Sequence, residues 1–241
     1  MAERLTLLTG WAASPAALEP LRAALHARAP YLEVRLEPLP ALARPGDWLE
    51  ALDARLPRDG WLGGWSLGGM LAAQLAARRG AACRGLIGLC SNVCFRARAG
   101  WPQAMPADVF DAFRQACRLD AEQTLKRFTL LVAQGGGDAR SLARQLQLTQ
   151  PILAPAVLDA GLQLLAELDG RAALETYPGP QLHLFAGRDA LVPAAAAQAL
   201  LDWLPDVEVQ CFAAASHGLP LEQPEELAGA ILAFMREGDH G

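Results

Sequence analysis

The chain reads as an α/β protein: a parallel sheet with helices on its faces, interrupted once by an all-helical insertion. Three observations predict this. Short apolar runs alternate with helix-length segments over residues 5–90, the rhythm of strand–helix–strand units whose crossovers return to a parallel neighbour. The rhythm stops at Ser91 and resumes only at Gln181, with no good strand between. In the first half stands Gly64-x-Ser66-x-Gly68, a sharp strand-to-helix turn with a hydroxyl at its tip.

Residues 5–9 form a short apolar strand ending at Gly10-Trp11, and Ser14-Pro15 is placed as the cap of a helix running to about Arg28. Residues 32–37 alternate apolar and charged side chains, which suits a strand nearer an edge. Pro38, Pro40 and Pro45 break the chain, and a helix follows over 46–56 with Trp48, Leu49, Leu52 and Leu56 on one side. The uncharged run 61–65 is a strand, 67–79 a helix whose charges are saved for its last turn, and 85–90 another buried strand. Four helices are expected in the insertion, near 106–119, 121–134, 138–149 and 155–168, separated in part by Gly135-Gly136-Gly137 and Gln150-Pro151. Beyond it come a strand over 181–186, a helix over 193–203 with proline at its start, a last strand over 207–212 and a closing helix over 222–235. The division is thus 1–91 with 180–241 as core, and 92–179 as a helical lid over the strands' carboxyl ends.

The 241 residues, 52% of them hydrophobic, suffice for one sizeable core. A net charge of −5 argues against a nucleic-acid partner. No run of eighteen apolar residues exists, so no membrane span is expected, and Gly10, Ser14 and Pro15 come too early for a secretory signal. Five cysteines without CxxC pairs fit a reduced compartment, and Cys90-x-x-x-Cys94 lacks the second half of a zinc site. A cytoplasmic monomer with no metal or cofactor is the expectation.

The turn at Ser66 carries the chemistry. A serine there takes a strained backbone, so Gly64 and Gly68 remove Cβ atoms that would clash, and Gly69 lets helix and strand approach. Asp189 follows one late strand and His217 the next, giving the order Ser, Asp, His of α/β-hydrolases at the carboxyl ends of parallel strands. The roles follow: Ser66 as nucleophile, His217 as base and acid, Asp189 as the orienting carboxylate, with the N–H groups of Leu67 and Trp11 as oxyanion donors. The rivals are weaker. His183 lies inside a strand and suits packing, His26 sits on a helix near Arg28, and His240 is in the tail. Asp202 and Asp206 flank a helix end and a turn, and Asp169 follows a helix. From Phe95 to Gln150 the lid holds eight positive and five negative residues, a surplus of three that leaves −8 for the rest. Arg140 and Arg144 share one helix face. Such a patch fits either an acidic partner or an ordinarily solvated lid.

These residues resemble the pimeloyl-[acyl-carrier protein] methyl ester esterases of biotin biosynthesis, an α/β-hydrolase family. The likeness runs through 7–11 (LLTGW), 64–69 (GWSLGG), 91–102 (SNVCFRARAGWP), 125–128 (LKRF), the pair Arg140 and Arg144, 187–193 (GRDALVP) and 215–220 (ASHGLP). It implies an α/β-hydrolase fold with a shortened, mostly parallel sheet of about six strands and an all-helical lid. It implies hydrolysis of the methyl ester of pimeloyl-acyl-carrier protein to pimeloyl-carrier and methanol, without cofactor. Trp11, Phe128, Leu131 and Val132 are then the pocket wall, and Arg127, Arg140 and Arg144 meet the acidic carrier. A fourth family arginine falls at Gln123 and is missing, and Thr9-Gly10 stands where many hydrolases have His-Gly. The alternative activity is a broader short-chain carboxylesterase or thioesterase. A non-catalytic module that kept the fold is the third reading, against which the ordered Ser, Asp and His argue.

Overall fold

Three of the four inner strands are buried along their whole length, as strands are when helices cover a sheet on each side. In the computed structural model, which describes residues 3–238, these are β3 (Trp61–Trp65), β4 (Gly85–Leu89) and β5 (Gln181–Ala186), buried at every position. With β1 (Arg4–Leu8), β2 (Glu33–Glu37) and β6 (Glu208–Phe212) they form a six-stranded sheet in the order β2-β1-β3-β4-β5-β6, parallel throughout. The edge strands are the two with alternating polar residues, EVRLE and EVQCF. The shortened parallel sheet is therefore as expected.

The helices of the first half are α1 (Glu19–Arg28), α2 (Trp48–Arg55) and α3 (Leu67–Arg79). Ser14 does not cap α1: residues Pro15–Ala17 form a 3-10 turn first, and the buried Ser14 hydroxyl finds no partner among the described residues. Proline with two alanines tightens the chain before α1 can start, so the expected cap is displaced from the helix. Arg79, its side chain 2% exposed, closes α3 by donating to Asp53 Oδ1 at 2.8 Å and to the Pro57 carbonyl at 2.7 Å.

Between β4 and β5 the chain forms α4 (Ala107–Leu119), α5 (Ala121–Ala133), α6 (Ala139–Thr149), α7 (Pro155–Glu167) and α8 (Arg171–Thr176). The fifth, α8, was not expected; it is six residues long, too short for a periodic signal. Asp120 and Asp138 cap α5 and α6 by accepting from Gln123 and Ser141 N–H. The segment before α4 is pinned by the isolated bridges Arg96–Met105 and Arg98–Trp101 and by Asn92, which accepts from the Trp101 indole. The chain returns through α9 (Ala195–Trp203), α10 (Leu219–Glu222) and α11 (Pro224–Gly238), and α11 packs on α1. The closing helix is thus split at Gln223, before Pro224. His240 lies outside the described residues. No helix among the described residues is long and apolar enough to cross a membrane.

Candidate active site

Four loops at the carboxyl ends of strands converge. Ser66 follows β3 directly, at φ 55° and ψ −120°, a region L-residues rarely occupy. Such strain persists only where surroundings over-determine it. Here a Cβ on Gly64 would overlap the backbone of Gly68, and one on Gly68 would overlap the Thr9 carbonyl. The turn is held by the Ser66 N–H donating to the Leu89 carbonyl at 2.9 Å and by Ser91 Oγ donating to the Ser66 carbonyl at 2.9 Å. Leu67 is the first residue of α3, so its N–H belongs to the group a helix leaves without an internal acceptor. The loop after β1 lies against this turn: a Cβ on Gly10, the residue before Trp11, would stand 3.5 Å from Ser66 Cβ. Thr9, in place of the histidine many relatives of the fold carry, accepts from the Leu39 N–H at 3.3 Å through Oγ1.

Asp189 and His217 meet. His217 Nδ1 lies 2.7 Å from Asp189 Oδ2, with both side chains 1% exposed. Asp189 Oδ1 accepts from the N–H groups of Leu191 at 2.8 Å and Val192 at 2.9 Å, which fixes which oxygen faces the ring. The His217 Nε2 atom is buried without a hydrogen-bond partner among the described residues, an open position for a proton. Trp65, the residue before the serine, donates from Nε1 to the His217 carbonyl at 2.9 Å and so ties elbow and histidine loop together. Cys90, at φ 45° just past β4, brings Sγ within 4.8 Å of the Asp189 and His217 ligand atoms; burial pushes its thiol well up, so it stays neutral beside the pair. The sequence marked this cysteine only as one half of an incomplete zinc spacing.

The rival residues are elsewhere. Burial holds His183 at about 4, so the ring is neutral, and it packs in β5 with Nε2 3.4 Å from Gln181 Oε1. His26 is exposed on α1. Asp169 is engaged by Arg171 at 2.6 Å, Asp202 accepts from Gln198 at 2.8 Å, and Asp206 is exposed.

Helices of the insertion between β4 and β5 pack on the loop after β1. Trp11 stacks edge-on against Phe128 and Phe113, at centroid distances of 4.9 and 5.8 Å, and donates from Nε1 to the Leu158 carbonyl of α7 at 3.0 Å. A cavity of about 50 Å³ with purely apolar lining lies between Trp11, Phe95, Phe113, Phe128, Leu131 and Leu162. Val132 is not on it. That side chain faces a smaller cavity of about 20 Å³ with Trp11, Trp65 and Phe128. With Ser66 7% exposed, the centre is nearly dry.

The charges of the helical insertion divide sharply. Arg96 pairs with Asp111, Arg98 with Asp169, Arg114 and Arg118 with Asp159, and Lys126 with Glu122. Arg127, Arg140 and Arg144 are exposed and have no carboxylate partner among the described residues. Gln123 is exposed and its N–H is used by the α5 cap.

Comparison with known proteins agrees with this geometry. A model of the "Alpha/beta hydrolase family" matches residues 7–230. The "Pimeloyl-[acyl-carrier protein] methyl ester esterase" of Serratia marcescens is 34% identical over 242 residues, covering 96% of this chain and 93% of that one. The "Biotin biosynthesis bifunctional protein BioHC" of Cellvibrio japonicus is 41% identical over 186 residues, 77% of this chain, which spans only 37% of that longer protein. Among solved structures, an esterase from Exiguobacterium antarcticum superposes with a TM-score of 0.82 at 18% identity, covering 97% of this chain and 92% of the other.

Proposed function

The chain belongs to the alpha/beta hydrolase family, and within it to the pimeloyl-[acyl-carrier protein] methyl ester esterases; from that premise we propose that it is a serine carboxylesterase acting in biotin biosynthesis, converting the methyl ester of pimeloyl-acyl-carrier protein to pimeloyl-acyl-carrier protein and methanol. The observation that carries the chemistry is the strained Ser66 whose neighbour Trp65 is bonded to the loop of a buried His217–Asp189 pair, with Nε2 open among the described residues. Ser66 Oγ attacks the ester carbonyl as His217 Nε2 takes its proton. Leu67 and Trp11 N–H groups receive the oxyanion, each such donor being worth about 10²–10³ in rate. Collapse breaks the bond to methoxide, which takes the proton from His217 and leaves as methanol. A water then gives its proton to His217 and attacks the acyl-enzyme, and Ser66 recovers that proton on release. Asp189 holds the tautomer and stabilises the imidazolium.

The substrate assignment draws on the wall and the surface. A neutral methyl ester suits a dry apolar centre, and the product carboxylate is poorly solvated there and leaves. Trp11, Phe128 and Leu131 face the acyl chain. Val132 belongs to the wall nearer Trp65. The unpaired Arg127, Arg140 and Arg144 face the acidic carrier and steer its approach. We take residues 92–179 as the lid domain and 1–91 with 180–241 as the core, working in the cytoplasm as a monomer. A broader short-chain carboxylesterase or thioesterase uses the same centre and differs only in what the lid admits. Purified protein incubated with the carrier-bound methyl ester decides: methanol release abolished in Ser66→Ala supports the assignment, and an untouched carrier ester alongside a Ser66 that labels with fluorophosphonate refutes it.

A further inference from the structure

The loop bearing His217 is held from three directions. Trp65 Nε1 donates to its carbonyl, and the next residue, Gly218, donates its N–H to the Val132 carbonyl of lid helix α5 at 3.1 Å. The third hold is Glu222 on α10. Its Oε2 accepts from the Ser216 N–H at 2.8 Å and from the Ser216 hydroxyl at 2.6 Å. Ser216 is fully buried, and its Oγ accepts in turn from the Gly218 N–H at 3.1 Å. One carboxylate thereby fixes the residues on both sides of the histidine, through bonds that charge makes about twice as strong as neutral ones. Its other oxygen, Oε1, lies against Gly136 in the turn between α5 and α6, so close that a Cβ at 136 would overlap it.

We propose that Glu222 is a positioning residue: it sets the register of His217 and keys that register to the seated lid turn at Gly136. This rests on His217 being the base of the reaction proposed above. No proton need move through Glu222. Its effect runs through geometry, where a displacement of about 1 Å costs on the order of a hundredfold. Removing it also leaves the buried Ser216 N–H without its acceptor.

The test uses the full-length protein and a small p-nitrophenyl ester, which leaves the carrier surface out. Glu222→Ala is expected to lower kcat by about thirty- to a hundredfold with KM changed less than about threefold, and to slow fluorophosphonate labelling of Ser66 in parallel. Glu222→Gln keeps an oxygen that accepts both Ser216 bonds and is expected to recover kcat to within about fivefold of wild type. Gly136→Ala, which pushes on Oε1 without touching Ser216, is expected to show the same loss in kcat. Wild-type kcat in Glu222→Ala, a loss in Glu222→Gln as large as in alanine, or an effect on KM alone overturns the proposal. If Glu222→Ala does not fold, the glutamine and Gly136→Ala variants carry the test alone: loss in Gly136→Ala with near-wild-type Glu222→Gln supports it, and any other pairing overturns it. A wild-type protein that never labels at Ser66 instead sinks the serine-hydrolase reading and this inference with it, whereas labelling with no Glu222 effect sinks only this one.

Discussion

Replacing Asp189 by asparagine changes one atom, and the surroundings decide which way the new amide turns. The Leu191 and Val192 N–H groups donate to Oδ1 at 2.8 and 2.9 Å, so the amide oxygen stays there. The NH₂ group then replaces Oδ2, 2.7 Å from His217 Nδ1. A donor now faces a donor, and the imidazole must move its proton from Nδ1 to Nε2. The nitrogen meant to accept the Ser66 proton is thereby occupied. With both side chains 1% exposed, water offers no rescue. The expected loss is about 10⁴ in kcat, or roughly 5.5 kcal/mol of barrier, at nearly constant KM. Stability should fall by only about 1 kcal/mol, since both backbone bonds survive. Turnover of a p-nitrophenyl ester, read beside a melting curve, is the assay. A folded Asp189→Asn variant within tenfold of wild-type kcat would refute the tautomer argument.

Other consequences follow from the same contacts. Ser66→Gly relieves the positive φ and should raise stability by about 1 kcal/mol while abolishing turnover; a lower melting temperature would contradict the strain. Arg79→Ala strips Asp53 of its shortest ion pair, leaving it the longer contacts to Arg58 and Arg78, and orphans the Pro57 carbonyl, and should cost about 2–3 kcal/mol in urea unfolding. Burial holds His183 at about 4 against an ordinary 6.5, so the unfolded chain binds the extra proton between those values. The protein therefore keeps its full stability from this group above pH 6.5 and loses roughly 3 kcal/mol as pH falls towards 4. His183→Gln should flatten that part of the urea-midpoint profile, and an unchanged slope would assign the loss to other groups.

Much of the architecture could be read before any coordinates. The strand 61–65, the helix 67–79 and the strand 181–186 run over the residues expected, because buried parallel strands and a helix next to a glycine turn leave strong local signals. Asp189 and His217 were legible because each follows a strand of one parallel sheet, and topology alone brings such loops to one end. What escaped depends on contacts between distant residues. Trp11 reaches the Leu158 carbonyl, 147 positions away, and Trp65 the His217 carbonyl, 152 away. No spacing rule registers those bonds. The role of Glu222 was hidden for another reason: in sequence it is one more acid at the start of the closing helix. Ser14 went the other way. It carries the local mark of a cap, but Pro15 starts a 3-10 turn instead. The cations of the insertion show the same limit, since a charge count cannot say that five of the eight are paired with carboxylates and that three have no carboxylate partner among the described residues.

The central claim is that the lid brings a carrier-borne ester to Ser66 through those three arginines. The most direct measurement is kcat/KM for the carrier-bound pimeloyl methyl ester and for p-nitrophenyl butyrate, in wild type and in the triple variant Arg127→Ala, Arg140→Ala, Arg144→Ala. Both are run at about 20 mM and about 300 mM salt, on either side of physiological screening. The carrier ester should lose about tenfold or more with salt, and a similar amount in the variant at low salt, while the small ester changes less than about twofold. A carrier ester indifferent to both salt and the arginines, or one not cleaved while the small ester is, would contradict the claim.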